Sequence, residues 1–198
     1  MYNLLTVADF VSATVQSLKS LGVWYLVILN AFGVIAIILK VTEFQLKKRS
    51  TVILFALLAA LCWVMYFLLQ GDLTSAFTCF IGVIQGLIFL QREKYKWASS
   101  VLWLYFFVII QIVSGVLCFK EWHDIFAISA GVLNAFAYFV ISRKKYRVLG
   151  FACLFAWVLN STFKFYPLAF ANDLFGCISA LIAIIRFDII PSIKKSKN

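Results

Sequence analysis

Residues 22–41 read GVWYLVILNAFGVIAIILKV, a run that is apolar almost throughout. A helix needs about 20 such residues to cross the hydrocarbon core of a bilayer. Six further runs share this character, and they lie at 51–70, 76–91, 101–118, 125–142, 148–166 and 170–190. Lipid leaves no water to hydrogen-bond an open sheet edge or loop. The sequence therefore predicts an all-α polytopic membrane protein with seven transmembrane helices.

The overall composition excludes an ordinary soluble domain. Of the 198 residues, 64% are hydrophobic and 13% are charged. A soluble domain carries about a quarter charged residues and under half apolar ones. The excess cannot be one large soluble core, because the apolar residues stand in long runs.

Basic residues follow every second run. The clusters after the first, third, fifth and seventh runs are Lys47, Lys48 and Arg49; Arg92, Lys94 and Lys96; Arg143, Lys144, Lys145 and Arg147; and Lys194, Lys195 and Lys197. The charged residues of the intervening loops are mainly Asp72, Lys120, Glu121, Asp124 and Asp173. This positive-inside pattern predicts a multi-pass membrane protein with its N-terminus outside and its C-terminus in the cytoplasm. The net charge of +10 then reflects topology and contact with anionic lipid, not a nucleic-acid partner.

No motif supports catalysis, a cofactor or a metal ion. The chain lacks the zinc-protease, nucleophile-elbow, P-loop and dinucleotide-binding signatures. Its five cysteines contain no C-x-x-C pair and are interpreted as small packing residues. His123 lies beside Glu121 and Asp124, but a solvated turn explains one histidine in a short loop better than a metal site does. We expect a protein that is not an enzyme.

The first 21 residues form a segment of their own. Apolar residues fall on one helical face, opposite Asp9, Gln16 and Lys19. A short amphipathic helix in the outer interface explains this pattern, and a frayed terminus is the open alternative.

The tetrapeptide LNAF occurs twice, at residues 29–32 and 133–136, in the first and fifth runs. A second correspondence begins at Trp63-Val64 and Trp157-Val158 and gives seven identities in thirty ungapped positions, including a Gly and an Arg. The length difference between the two copies lies in a loop, where insertions are tolerated. We interpret this as an internal repeat.

The repeat predicts the architecture. Two three-helix units joined by one linker helix have the same orientation, as in parallel-repeat transporters. The expected divisions are an amphipathic segment (1–21), bundle 1 (22–96), a linker helix (97–119), bundle 2 (120–190) and a basic tail (191–198).

Asn30 and Asn134, the paired amides of the two LNAF copies, are expected near the bilayer centre. An amide at that depth needs a partner or a wet cavity. A helix–helix hydrogen bond is the structural alternative. Pairing across the repeat favours a shared central site, where amides suit sugar hydroxyls or a heterocycle.

Trp63 and Trp157 lie too deep in their runs for an interfacial aromatic belt. Core packing explains them, and stacking against a ring-shaped solute is the alternative. Asn172 and Asp173 open the last run, and Asp173 is the only carboxylate expected to face inward. Lys164 is close enough along the chain to pair with it. A structural ion pair or solvated cap is the favoured interpretation of Asp173, and a substrate or proton site is the alternative. Weaker candidates are Asn160 and Gln85.

Two stretches, FLLQGDLTSAFTCFIGVIQGLIFLQR (67–92) and DLFGCISALIAIIRFDI (173–189), resemble the YgjV-type bacterial inner-membrane protein family. In both, a helix rich in small residues ends in Arg. That family is similar to the SWEET sugar transporters and the Pnu vitamin transporters. The resemblance implies transport of a small neutral or heterocyclic solute without ATP.

In those sugar transporters a Trp on the second helix and an Asn near the start of the third line the pocket. Trp63 and Trp157 match the first feature, and Asn172 or Asp173 matches the second. The first half departs from the pattern, with Thr78 and Cys79 at these positions. No run contains a proline hinge, so alternation would require rigid rocking of the two halves.

The sequence thus favours a secondary transporter or facilitator, active as a monomer or homo-oligomer. The expected pocket residues are Asn30, Asn134, Trp63, Trp157, Asn172, Asp173, Asn160 and Gln85. A non-transporting receptor or assembly scaffold built on the same bundle is the alternative.

Overall fold

The computed structural model describes residues 13–190, apart from the side chains at positions 49 and 93. After a helical stretch at 13–19 come seven helices: α1 (Val23–Gln45), α2 (Arg49–Gln70), α3 (Leu73–Leu90), α4 (Val101–Leu117), α5 (Asp124–Phe139), α6 (Arg143–Phe163) and α7 (Pro167–Ile184), the last continued by a π-helical turn (Ile185–Ile189). No strand occurs within the described range. The all-α prediction is confirmed. The predicted interfacial face of residues 1–21 and the basic tail fall largely outside the described residues.

Five helices, α1, α2, α3, α6 and α7 with its π turn, are long and apolar enough to cross a membrane. The other two, α4 and α5, are apolar but have 17 and 16 residues. The faces of α4 away from the bundle are apolar, with Leu102, Ile109 and Val116 all more than half exposed. An exposed apolar surface of this extent marks a membrane or protein contact.

Two helix ends differ from the predicted runs because charged residues near them are buried. Helix α1 continues past residue 41 to Gln45 and carries Glu43, which is fully buried. Helix α6 begins at Arg143, five residues before the predicted run, and buries Arg147 in an ion pair with Asp188 at 3.0 Å. Hydropathy assigns such residues to loops, whereas here each has a partner inside the bundle.

Six of the helices form a closed ring in which each packs against the next. Helix α1 packs against α2 and α7, helix α3 packs against α2 and α5, and α6 packs between α5 and α7. Helix α4 lies outside the ring, against α3 and α5. The first half (α1–α3) and the second half (α5–α7) therefore meet at two equivalent seams, α1 with α7 and α5 with α3.

Contacts at the two ends of the ring show the helix directions. At one end, the Asp72 end, the Tyr25 hydroxyl donates to the Leu69 carbonyl at 2.7 Å, and Lys164 bridges Asp72 and Asp124. At the opposite Glu43 end, the Gln45 side chain donates to Ser179, and Tyr146 donates to Glu43. Helices α1 and α5 consequently both begin at the Asp72 end, and the two halves run in the same direction.

Repeat-equivalent residues occupy equivalent places. Asp72 and Tyr166 are the N-caps of α3 and α7, and their side chains hydrogen-bond each other. At the seams, a Cβ atom added at Gly82 would lie 3.2 Å from the Asn134 amide nitrogen. The equivalent Gly176 lies beneath Lys40 of α1, whose Cγ would be 3.5 Å away. Both glycines permit a close approach of the other half's first helix.

The register of α1 and α5 corrects the LNAF alignment. That alignment pairs Asn30, which is exposed, with Asn134, which faces the inside. Shifting it so that Gly33 matches Gly131 pairs buried glycine with buried glycine and places Ala36, fully buried, opposite Asn134. Four matching letters in so apolar a chain were a coincidence, although the repeat itself is consistent with the packing.

Candidate functional site

A cavity of about 70 Å³ lies at the centre of the six-helix ring. Its lining consists of Lys40, Ala56, Ala59, Ala60, Trp63, Phe67, Thr78, Cys79, Gly82, Gly131, Asn134, Tyr138, Cys153, Leu154, Trp157, Ala169, Asn172 and Asp173. These residues come from α1–α3 and α5–α7, and none comes from the outer helix α4. Such a volume holds a few water molecules and is below the 300–1,000 Å³ typical of sites for drug-sized ligands.

Ten of the lining residues form five repeat-equivalent pairs. They are Ala59 with Cys153, Ala60 with Leu154, Trp63 with Trp157, Thr78 with Asn172, and Cys79 with Asp173. The cavity therefore lies on the axis that relates the two halves. Both halves contribute to its lining.

Five of the eight predicted site residues line this cavity: Trp63, Asn134, Trp157, Asn172 and Asp173. The expectation that Asn30 joins them is wrong, because its side chain is exposed on the far side of α1. Ala36 and Lys40 occupy the inward face of that helix, one or more turns further on.

The other two predicted residues are fully buried, but they lie behind the cavity wall. The Asn160 amide donates to Ser75 of the first half at 3.4 Å, and its Oδ1 atom has no partner. Neither polar atom of the Gln85 side chain has a hydrogen-bond partner. Asn160 thus bridges the halves, which is the structural role that amides commonly have in membrane helices.

Aromatic rings fill the side of the cavity toward the Asp72 end. The Phe67 ring stacks on Trp157, with centroids 5.8 Å apart and planes at 14°. Phe67 also lies 5.5 Å from Trp63, with ring planes at 33°. One protein ring therefore contacts both indoles, an arrangement that fits core packing, and stacking on a ring-shaped solute stays the alternative. Sequence reasoning missed this residue because nothing distinguishes one Phe among 21.

Asp173 is held by neutral donors. The Ser161 hydroxyl donates to its Oδ2 at 3.0 Å, and the Asn172 amide donates to its Oδ1 at 2.8 Å. The expected partner Lys164 is elsewhere. Its ammonium lies 2.9 Å from Asp72 and 2.7 Å from Asp124, so the Lys164–Asp173 prediction is wrong. Lys164 thus pairs with the two buried carboxylates at the bundle end and not with the single carboxylate of Asp173, which lies deeper.

A second charged group faces the cavity from α1. The Lys40 ammonium pairs with Glu43 at 3.0 Å, and the Tyr146 hydroxyl donates to the same carboxylate at 2.5 Å. The expectation that Asp173 is the sole inward carboxylate is therefore wrong. A polar pair at helical spacing (i, i+3) at the end of the first apolar run was the available signal.

At the Asp72 end the loops hold a tight ionic cluster. Asp124 accepts hydrogen bonds from the backbone amides of Lys120 and Glu121, and Glu121 pairs with His123 at 2.7 Å. Between the helices, burial and the neighbouring carboxylate of Asp72 raise the pKa of Tyr166. No group of three or more His, Cys, Asp or Glu side chains within residues 13–190 has the arrangement of a metal site.

Two polar atoms on the cavity wall have no hydrogen-bond partner. They are Nε1 of Trp63 and Oδ1 of Asn172, on side chains 7% and 2% exposed. Buried polar groups are nearly always hydrogen-bonded to protein, water or ligand. Among the residues that line the cavity, one buried donor and one buried acceptor thus remain unpaired.

Long apolar helices closed around a polar internal cavity define a polytopic membrane protein. The chain belongs to the bacterial inner membrane protein family Imp-YgjV, whose sequence profile matches residues 27–189. It is accordingly a multi-pass protein of the bacterial inner membrane, which confirms the predicted family and location. Searches of curated proteins and of solved structures each found no match.

Proposed function

We propose that this protein is a secondary transporter or facilitator that passes a small solute through the central cavity. All seven helices cross the membrane in this proposal, as two like-oriented three-helix bundles joined by α4. The Glu43 end faces the cytoplasm, because the basic residues after α1 and α5 adjoin it and positive charge is retained inside. The N-terminus is then outside.

The observation that carries the proposal is the position of the cavity on the repeat axis, lined by five equivalent pairs. A site between two rigid halves can open to either side when one half rocks against the other. Alternating access of this kind needs no hinge within a helix. The likeness to SWEET and Pnu transporters points the same way and favours a neutral or heterocyclic solute, such as a vitamin, a nucleoside or a sugar.

Different contacts join the halves on the two sides of the cavity. On the Asp72 side the Lys164–Asp72 ion pair links the second half to the first. On the Glu43 side the Tyr146–Glu43 and Gln45–Ser179 hydrogen bonds do so. Each set serves as a gate in the proposal, and opening one side requires breaking only the contacts of that side.

Native cysteines test this proposal. Cys79 lines the cavity, and a protein that retains it while Cys62, Cys118, Cys153 and Cys177 are replaced by Ala reports access to one point. A membrane-impermeant thiol reagent is applied to right-side-out and to inverted membrane vesicles. We expect labelling from both sides, at rates that differ.

A matched control protein retains only Cys62 of α2, which packs against a cluster of apolar and aromatic side chains. We expect it to stay unlabelled on either side. Absence of Cys79 labelling from both sides would contradict transport and favour the alternative, a receptor or assembly scaffold with a closed core.

A further inference from the structure

We propose that Asp173, Asn172 and Trp63 form a binding site for a small organic ammonium solute that also carries a hydrogen-bond acceptor, an amino alcohol being the simplest example. This inference rests on the proposed use of the central cavity as a solute site. It replaces the neutral or heterocyclic class that the resemblance favours with a small, positively charged amine.

The charges around the cavity do not balance. Lys40 is neutralised by Glu43, its partner at 3.0 Å. Asp173, only 5% exposed, accepts hydrogen bonds from two neutral groups. Among the described residues no Lys, Arg or His nitrogen forms a salt bridge with it. A buried carboxylate without a counter-ion is costly in a membrane protein, and either protonation or a bound monovalent cation removes that cost.

An organic ammonium fits the acceptors that remain. The Asn172 amide is oriented by donating to Asp173, which leaves its Oδ1 atom without a partner on the same wall. A carboxylate has about four lone-pair sites, of which the neutral donors use two. An ammonium group with several N–H donors can therefore bond to Asp173 and to Asn172 together.

The remaining donor defines the other end of the solute. Trp63 Nε1 is buried without a partner, and an indole N–H can only donate. A hydroxyl or carbonyl oxygen on the solute would satisfy it. The cavity volume of about 70 Å³ is about half that of an engineered 150 Å³ cavity that holds benzene. A solute of ethanolamine's size is therefore suited to the space as it stands.

Comparison of the two halves shows that only the second half carries the residues of this site. The positions equivalent to Asn172 and Asp173 hold Thr78 and Cys79, which carry no charge. Ser161, a donor to Asp173, has Phe67 as its equivalent. The first half therefore offers neither the carboxylate nor its supporting hydroxyl.

The test is a titration of the purified full-length protein in detergent. Tryptophan fluorescence and calorimetry measure the binding. The probes are ethanolamine, ethylene glycol as the neutral analogue, and ethylamine, which lacks the hydroxyl. We expect ethanolamine to bind at least 10-fold more tightly than either analogue. The Asp173→Asn variant should lose at least 10-fold in ethanolamine affinity and leave ethylene glycol binding unchanged. Glu121→Gln, which neutralises an exposed carboxylate outside the cavity, is the matched control and should bind as the parent does.

The Asp173→Glu variant is the control for correct folding. It preserves the charge and should retain ethanolamine selectivity over ethylene glycol. Equal binding of ethylene glycol and ethanolamine would overturn the ammonium assignment. Displacement of ethanolamine from the parent protein by sodium chloride, but not by tetrabutylammonium chloride at the same ionic strength, would also overturn it, because the tetrabutylammonium ion is too large for the cavity and the site would then be one for an inorganic cation. If Cys79 is labelled from both sides but ethanolamine does not bind, the solute class is wrong and the transport proposal stands. If Cys79 is closed to both sides, the transport proposal itself fails.

Discussion

The two halves of this protein have the same backbone plan but different cavity chemistry. At equivalent positions the first half contributes Thr78 and Cys79, and the second contributes Asn172 and Asp173. Where the second half has Ser161 bonded to Asp173, the first half has Phe67 stacked on Trp157. At equivalent positions the cavity is therefore lined by polar, hydrogen-bonding side chains in the second half and by smaller or aromatic ones in the first.

The same asymmetry extends to the bundle ends. Lys164 at the end of α6 joins two buried carboxylates, whereas its equivalent at the end of α2 is Gln70, which bonds within its own helix to Tyr66. The lesson is that repeat-equivalent positions keep their place in the packing without keeping their chemistry. A functional residue in one half is therefore poor grounds for assigning its counterpart.

The largest expected effect is on the charged cluster at the Asp72 end, whose lysine only the second half provides. Lys164→Met leaves Asp72 and Asp124 buried without a cation, and removing one partner from a buried ion pair costs about 3–5 kcal/mol. We expect a correspondingly large fall in the thermal unfolding midpoint in detergent. Lys120→Met, at an exposed lysine of the adjoining loop, is the control and should change it little. Equal shifts for the two variants would show that the cluster is not a stabilising junction.

A somewhat smaller effect is expected where the first half closes the cavity. Phe67→Ala removes a ring that is 2% exposed and contacts both indoles. Loss of a buried Phe costs about 3–5 kcal/mol in soluble cores, and we expect the lower part of that range because a polar solute or water can enter the space. The second expected outcome is faster labelling of Cys79 from the Asp72 side.

The control for this change is Phe106→Ala, at a phenylalanine that is half exposed on α4. It should affect neither stability nor the labelling of Cys79 appreciably. Unchanged labelling in Phe67→Ala would mean that another group closes that side.

The smallest effect distinguishes the two asparagines. Asn134 lines the cavity and hydrogen-bonds Tyr138 one turn away, so Asn134→Ala should cost about 1 kcal/mol. Asn30 is exposed, and Asn30→Ala should stay within about 0.5 kcal/mol of the parent. Chemical denaturation of both variants in mixed micelles measures the difference. A larger loss of stability in Asn30→Ala than in Asn134→Ala would favour the original LNAF alignment, in which the two asparagines are equivalent.

Much of the fold follows from the sequence, because a membrane crossing imposes a length and a composition that can be read directly. Each of the seven apolar runs overlaps one observed helix. The helix ends were harder to predict. Glu43 and Tyr146 are 103 residues apart, and hydropathy treats each alone as a loop residue. Their burial depends on a contact that no local pattern contains.

Cavity-lining residues could be predicted where their residue type is rare in the middle of an apolar helix. They could not be predicted where the residue type is common there. Trp63, Trp157 and Asp173 are unusual inside apolar runs, and all of them line the cavity. Phe67 and Lys40 line it as well but resemble many residues nearby. Asn30 was misplaced because an identical tetrapeptide was given more weight than the helical face on which each copy lies.

The most direct measurement compares spin labels at positions 134 and 30 in a cysteine-free background, using collisional accessibility to a water-soluble nickel complex and to oxygen. A wet seam between like-oriented halves predicts that the label at 134 meets the nickel complex and that the label at 30 meets oxygen dissolved in lipid. The reverse pattern, or oxygen access alone at both positions, would contradict a water-reachable cavity between the halves.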